Sequence, residues 1–227
     1  MIDAGLSGKQ IATRMSKVGL EPKELTAILL THEHSDHVSG AGILSRRFKV
    51  PIHANENTLV CSNIGTVHHA SVFRTLESFS IGPFDVRPLP ISHHAAEPNA
   101  FSIACNGHRF LLATDLGHVN NEVFSALRDA TLAVIEANHD LHMLIHGPYP
   151  PALKSEIRSD RGHLSNVDCA RALWATHCEE RRIFLAHISK NNNTPQLARR
   201  TVARTLNCDE DAVDCLMTPD DLRTIIL

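Results

Sequence analysis

The stretch Thr31-His32-Glu33-His34-Ser35-Asp36-His37 decides how this 227-residue chain is read. It follows Ala27 to Thr31, a run apolar enough for a buried strand. Alternate residues of an extended segment share a side, so His32 and His34 project together, and a turn at Ser35 swings Asp36 and His37 toward a second point nearby. Protonated imidazoles this close would repel one another, so a cation gives the cluster a purpose; its N and O donors suit zinc, manganese or iron. Three more ligand-type residues stand where strands should finish: His93 after PLPIS, Asp115 after FLLAT and His187 after IFLA. A carboxylate such as Asp115 can bridge two cations, with His93 completing one ligand set and His187 the other. Two cations about 3.5–4 Å apart clamp both the attacking and the leaving oxygen, which makes hydrolysis the natural reaction class.

Outward from this loop, strands and helices interleave. Ser7 and Gln10 have capping-box spacing, and Ile11, Met15 and Val18 recur at helical period, which predicts a helix over 8–18. A helix is expected over Val38 to Phe48 and a short strand over Val50 to Ala54. Phe84 to Ile91 reads as a strand that Pro88 and Pro90 confine to an edge or an irregular end. Asn106-Gly107 is a favoured turn pair, so Ala100 to Cys105 and Arg109 to Thr114 should form a hairpin. Thr131 to Ala137 reads as a buried strand carrying Glu136, and Ile183 to Ala186 as another. Helices are expected from Asn166 to His177, capped by Ser165, and from Pro195 to Leu206. The pattern implies one α/β domain over 1–227, with a mixed sheet or sheets covered by helices.

Composition narrows the function. Hydrophobic residues make up 43% of the chain, enough for a core, and no run approaches a membrane span. The start lacks a basic segment followed by an apolar one, and the six cysteines show no zinc-knuckle spacing, so reduced thiols in a cytoplasm are expected. Net charge is −3, which gives the whole molecule no attraction to nucleic acid; a basic surface must be local. One exists in the sequence: residues 151–206 hold ten Lys plus Arg against five Asp plus Glu. Together with Arg46, Arg47 and Lys49 it could lie along a phosphodiester backbone. Arg161, Ser189 and Asn192 are the candidate substrate-binding residues.

His32-Glu33-His34-Ser35-Asp36-His37 resembles the HxHxDH signature of the metallo-β-lactamase superfamily, and His93, Asp115 and His187 fall in the order of its later motifs. The resemblance implies an αββα sandwich with metals at one edge. In that pattern His32, His34 and His93 hold one metal, Asp36, His37 and His187 the second, and Asp115 bridges. Asp3 in IDAG matches an Asp that supports the metal loop without binding metal. IDAGLSGKQI, THEHSDHVSGAGILSRRF, SHHAAEP, ATDLGHV, IEANHD, SDRGHLSN and LAHISKNNNTP together look like the WalJ/YycJ branch, metal-dependent exonucleases acting on DNA. Glu136 and His163 are also similar to a Glu–His pair of the tRNA 3′-processing branch that passes a proton to the leaving group.

The chain departs from its relatives at two points. It starts inside the third strand of the family pattern, so the first strands of the sandwich are expected to be lacking. It also has His94 where Asp is usual. The interval from Asp115 to His163 is too short for the inserted domain of the β-CASP nucleases. The expectation is therefore a compact phosphodiesterase holding two divalent cations, zinc or manganese, with Asp36, Glu136 and His163 as its catalytic side chains. Its rivals are a metallohydrolase of a small thioester, lactone or ester, and a non-catalytic metal- or partner-binding protein.

Overall fold

A computed structural model describes residues 1–216. The chain forms two compact units. Of the described residues, the first comprises Met1–Pro88 and Ala95–Asn99, the second Leu89–His94 and residues 100–216.

In the first unit, α1 (Gly8–Lys17) starts at the expected capping box: Ser7 accepts from the Gln10 backbone while Gln10 reaches back to the Ser7 N–H. Ile11 and Met15 are buried, but Val18 lies beyond the helix and is 37% exposed. Strand β1 is shorter than expected, Ile28–Leu29, although Ala27 through His32 are all buried. The loop after β1 turns at Ser35, as the sequence predicts. It closes into a single turn of helix, α2 (Ser35–Val38), with His34 at its N-cap. Next come α3 (Ala41–Phe48), β2 (Ile52–Ala54), α4 (Glu56–Cys61) and β3 (Ala70–Val72), and β1-β2-β3 form a parallel sheet. The core packs Ile11 and Met15 against Ile28, Leu30, Leu44 and Ile52. Strand β4 (Phe79–Ile81) then pairs antiparallel with β5 (Phe84–Pro90), reaching only as far as Val86. Pro88 and Pro90 lie beyond that pairing, at the carboxyl end of the strand.

The second unit is built on β6 (Asn99–Cys105) and β7 (His108–Ala113), joined at Asn106-Gly107, both at positive φ as a type I′ turn requires. After α5 (Asn121–Asp129), β8 (Leu132–Glu136) lies parallel to β7. Helices α6 (Leu141–His146), α7 (Pro151–Ile157) and α8 (Asn166–Ala175) follow, then β9 (Arg182–Ala186), α9 (Pro195–Leu206) and β10 (Val213–Cys215). Strands β10-β9-β8-β7 are all parallel neighbours, and near-continuous apolar runs suit strands covered on both faces. Leu111, Ala133, Ile135, Leu185, Leu173 and Val202 meet in the core. The register pairs Ala113 with Ile135 and Glu136 with Ala186, so the carboxyl ends of β7, β8 and β9 finish level with one another.

Candidate metal centre

Each unit presents its own set of ligand-type side chains. In the first, His32 is fully buried, His37 is buried, His34 is half-buried and Asp36 is exposed. Asp3 organises them. Its Oδ1 accepts from Thr31 N at 2.9 Å, and its Oδ2 accepts from Thr31 Oγ1 at 2.8 Å and lies 2.7 Å from His37 Nδ1. A carboxylate on Nδ1 makes that nitrogen the protonated one and leaves Nε2 with a lone pair for a cation. Asp3 takes a positive φ to do this, and Ala4 N binds His37 O at 2.7 Å. Gly5 lets the two segments touch, since a Cβ there would stand 1.5 Å from Asp36 O. His32 Nε2 and His34 Nδ1 face each other at 3.0 Å. Glu33, between them, points away and accepts from Ala96 N.

In the second unit the expected strand-end residues converge. His93, Asp115 and His187 follow β5, β7 and β9, and Glu136 ends β8. Asp115 and His187 both adopt positive φ, turning their side chains off the strand ends. Ligand atoms of Asp115, Glu136, His163 and His187 all lie within 4.8 Å of one another. The hub is Glu136, fully buried, whose Oε1 is 2.8 Å from His163 Nδ1 and 2.6 Å from His187 Nδ1. Its Oε2 accepts from the backbone N–H of Leu116 and Leu164 at 2.9 and 3.3 Å. Burial alone would raise this carboxyl, but the bonds and charges of His163 and His187 outweigh it and hold the group well below the carboxylate range.

The donor set fits a cation. His187 Nε2 stands 3.4 Å and His93 Nε2 3.8 Å from Asp115 Oδ1. Two ligands about 2.0–2.2 Å from one tetrahedral ion are about 3.4 Å apart, so these spacings match ligands of a shared ion rather than direct hydrogen bonds.

The other candidates fare differently. Arg161 donates from Nε and Nη2 to the His93 carbonyl oxygen. Ser189 Oγ accepts from Asn192 N at 3.2 Å. Asn192 is 1% exposed, with neither side-chain polar atom partnered among the described residues. Its neighbour Asn193, which the sequence offers either as a phosphate donor or as part of a polar turn, donates to Ala137 O, Asn138 O and Asn166 Oδ1 and fastens the loop after His187 to the end of β8. Of the basic stretch, Lys154, Arg171, Arg181 and Arg199 are also engaged within the protein. Arg158, Lys190, Arg200 and Arg204 are exposed. His94 Nδ1 lies 3.5 Å from Glu156 Oε1. The rings of His142 and His146 lie 4.4 Å apart on α6, tilted by 43°. His139, which the sequence left as ordinary, is buried, and that burial lowers it to about 4.

Comparison with known proteins accords with this geometry. Residues 1–188 match the family model described as the beta-lactamase superfamily domain. Exodeoxyribonuclease WalJ of Streptococcus pneumoniae is 37% identical over 213 residues, 91% of this chain and 79% of that protein. Exodeoxyribonuclease YycJ of Bacillus anthracis is 37% identical over 212 residues, 91% and 80% of the two chains. The fold is shared with zinc-bound PqqB from Methylobacterium extorquens at TM-score 0.72 and 15% identity, covering 95% of this chain and 80% of PqqB. The chain belongs to the beta-lactamase superfamily, and within it to the WalJ/YycJ branch of metal-dependent hydrolases.

Proposed function

We propose that this chain degrades DNA from an end by metal-dependent phosphodiester hydrolysis. The observation that carries the reading is the single Glu136 oxygen within hydrogen-bond reach of Nδ1 of both His163 and His187. One acceptor thereby orients a metal ligand and an acid together. The named activity of two relatives, each of which the chain covers by more than two thirds, supports DNA as the substrate.

In this reading the ligands for two divalent cations would come from His32, His34, Asp36 and His37 of the first unit and His93, Asp115 and His187 of the second; zinc and manganese suit these donors. Bound there, the cations supply Lewis-acid stabilisation of the charge that builds on the phosphoryl oxygens. The chain's own residues do the rest. Asp3 and Glu136 fix the tautomers of His37 and His187 so that Nε2 is the coordinating nitrogen. His163, its Nδ1 held by Glu136, presents Nε2 as the group that protonates the departing oxygen. Arg158 and Lys190, exposed in the sequence around His163 and His187, supply positive charge for the phosphodiester backbone, with Ser189 as a further contact; Asn192 is too deeply buried to reach it. The six free thiols fit residence in a reducing cytoplasm, and no helix among the described residues is long and apolar enough to cross a membrane.

End-labelled single-stranded and duplex DNA, offered with zinc or manganese beside a thioester, tests the reading. Release of nucleotides from an end is expected; thioester turnover without DNA cleavage overturns it. His163→Ala should lower turnover by about 10²–10⁴-fold with metal content near wild type. Loss of metal from that variant would make His163 a ligand instead of the acid.

A further inference from the structure

The segment Glu156–His163 lies against the loop that carries His93, and Arg161 joins the two. The guanidinium donates twice to the His93 carbonyl oxygen, from Nε at 3.2 Å and from Nη2 at 3.0 Å. His93 Nδ1 lies 3.4 Å from the carbonyl oxygen of the next residue of that segment, Gly162. His94 Nδ1 approaches Glu156 Oε1 to 3.5 Å. The same segment packs on the turn after Asp115. His118 Nδ1 is 3.2 Å from Asp160 O, and a Cβ on Gly117 would stand 2.2 Å from that oxygen, so glycine is needed for the approach. Gly117 N in turn donates to Ser92 O at 2.9 Å. Two residues after Arg161, His163 reaches Glu136.

We propose that Arg161 is a positioning residue: its fork holds the His93 carbonyl so that the imidazole, with Nδ1 on Gly162 O, presents Nε2 to the metal site, while the same strap delivers His163 to Glu136. The inference rests on His93 being a metal ligand, as in the proposed function. A planar guanidinium with two parallel donors fixes the direction of a carbonyl in a way that the single ammonium of lysine does not. Tethers behind a ligand histidine set its orientation and basicity, and their loss weakens metal binding although the ligand itself remains. Arg161 and Arg158 are both exposed, but with two of its donors committed to His93, Arg161 has less to give a phosphate.

Zinc affinity measured by chelator competition, together with steady-state DNA hydrolysis, separates positioning from substrate contact. Arg161→Ala should weaken zinc binding by about 10–100-fold and lower kcat, with KM for DNA changed less than about twofold. Arg161→Lys, restoring one donor, should recover part of the zinc affinity, and it supplies the same two readouts if the alanine variant does not fold. A raised KM, a salt slope reduced by about one and unchanged zinc affinity would assign Arg161 to a substrate phosphate and overturn the inference. Unchanged zinc affinity and unchanged kinetics would overturn it too. Weakened zinc binding by Arg161→Ala in a protein that cleaves no DNA would support the inference while sinking the nuclease reading.

Discussion

Replacing Glu136 by glutamine changes one atom and inverts a hydrogen-bond pattern that has no slack. The carboxylate accepts on both oxygens: two imidazole Nδ1–H groups on Oε1 and two backbone N–H groups on Oε2, with the residue fully buried. An amide keeps one acceptor and gains a donor, so it can satisfy only one pair. With its oxygen toward the histidines, its NH2 confronts the N–H groups of Leu116 and Leu164. Two buried donors lose their acceptor at about 1–3 kcal/mol each, or about 2–6 kcal/mol together. With its NH2 toward the histidines, both rings must accept on Nδ1 and carry their proton on Nε2. That removes the lone pair of His187 which faces Asp115 at 3.4 Å. Either choice also removes the negative charge, whose folded-state pKa lies below the 4.5 of a free glutamate, so its stabilising contribution is fully present at pH 7 and is lost as pH falls below about 4.5. Urea unfolding of the metal-free protein at pH 7 should therefore show a lower midpoint, or chelator competition a zinc affinity reduced by about 10–100-fold, with turnover down by about 10²–10⁴-fold. A Glu136→Gln protein with wild-type midpoint, zinc affinity and turnover would refute the claim that this oxygen sets both rings.

Other consequences are simpler to state. His139 is buried and its imidazole lowered to about 4, so between pH 6.5 and about 4 the unfolded chain takes a proton that the folded chain refuses; stability should decline across that window by about 3 kcal/mol. Urea midpoints measured from pH 7 to pH 5 should fall less steeply in His139→Leu, and equal slopes would contradict the assignment. Gly5→Ala forces a methyl group onto the Asp36 carbonyl and should destabilise the first unit by about 1–3 kcal/mol or more while loosening the His37 loop, read by thermal melting with and without zinc. Asn193→Ala deletes its bonds to Ala137, Asn138 and Asn166, a loss of about 3 kcal/mol by urea unfolding if the loop after His187 depends on them.

Local signals were legible because their physics is local. The Ser7–Gln10 box, the Asn106-Gly107 hairpin and the helix starting at Pro195 depend on residues within one turn of each other, and all three stand where the sequence places them. The short strands β3, β4 and β10 carry three residues each, too few to show a period, and take their conformation from a neighbouring strand. Val18 shows the opposite error: it continues a helical period that Gly19, at positive φ, ends.

The sequence by itself determined which chemistry was available. Four ligand-type residues in one hexapeptide and three more after buried strands point to a cation, which gives a cluster of mutually repelling imidazoles a reason. Only the tertiary structure decided who holds whom. Glu136 meets His187 across 51 residues and His163 across 27, Asp3 meets His37 across 34, and Arg161 turns to His93 across 68. Residue type limits a side chain to donating or accepting, but its partner is chosen by which strand ends the sheet register brings level and which glycines let loops close. Neither is written at the residue itself.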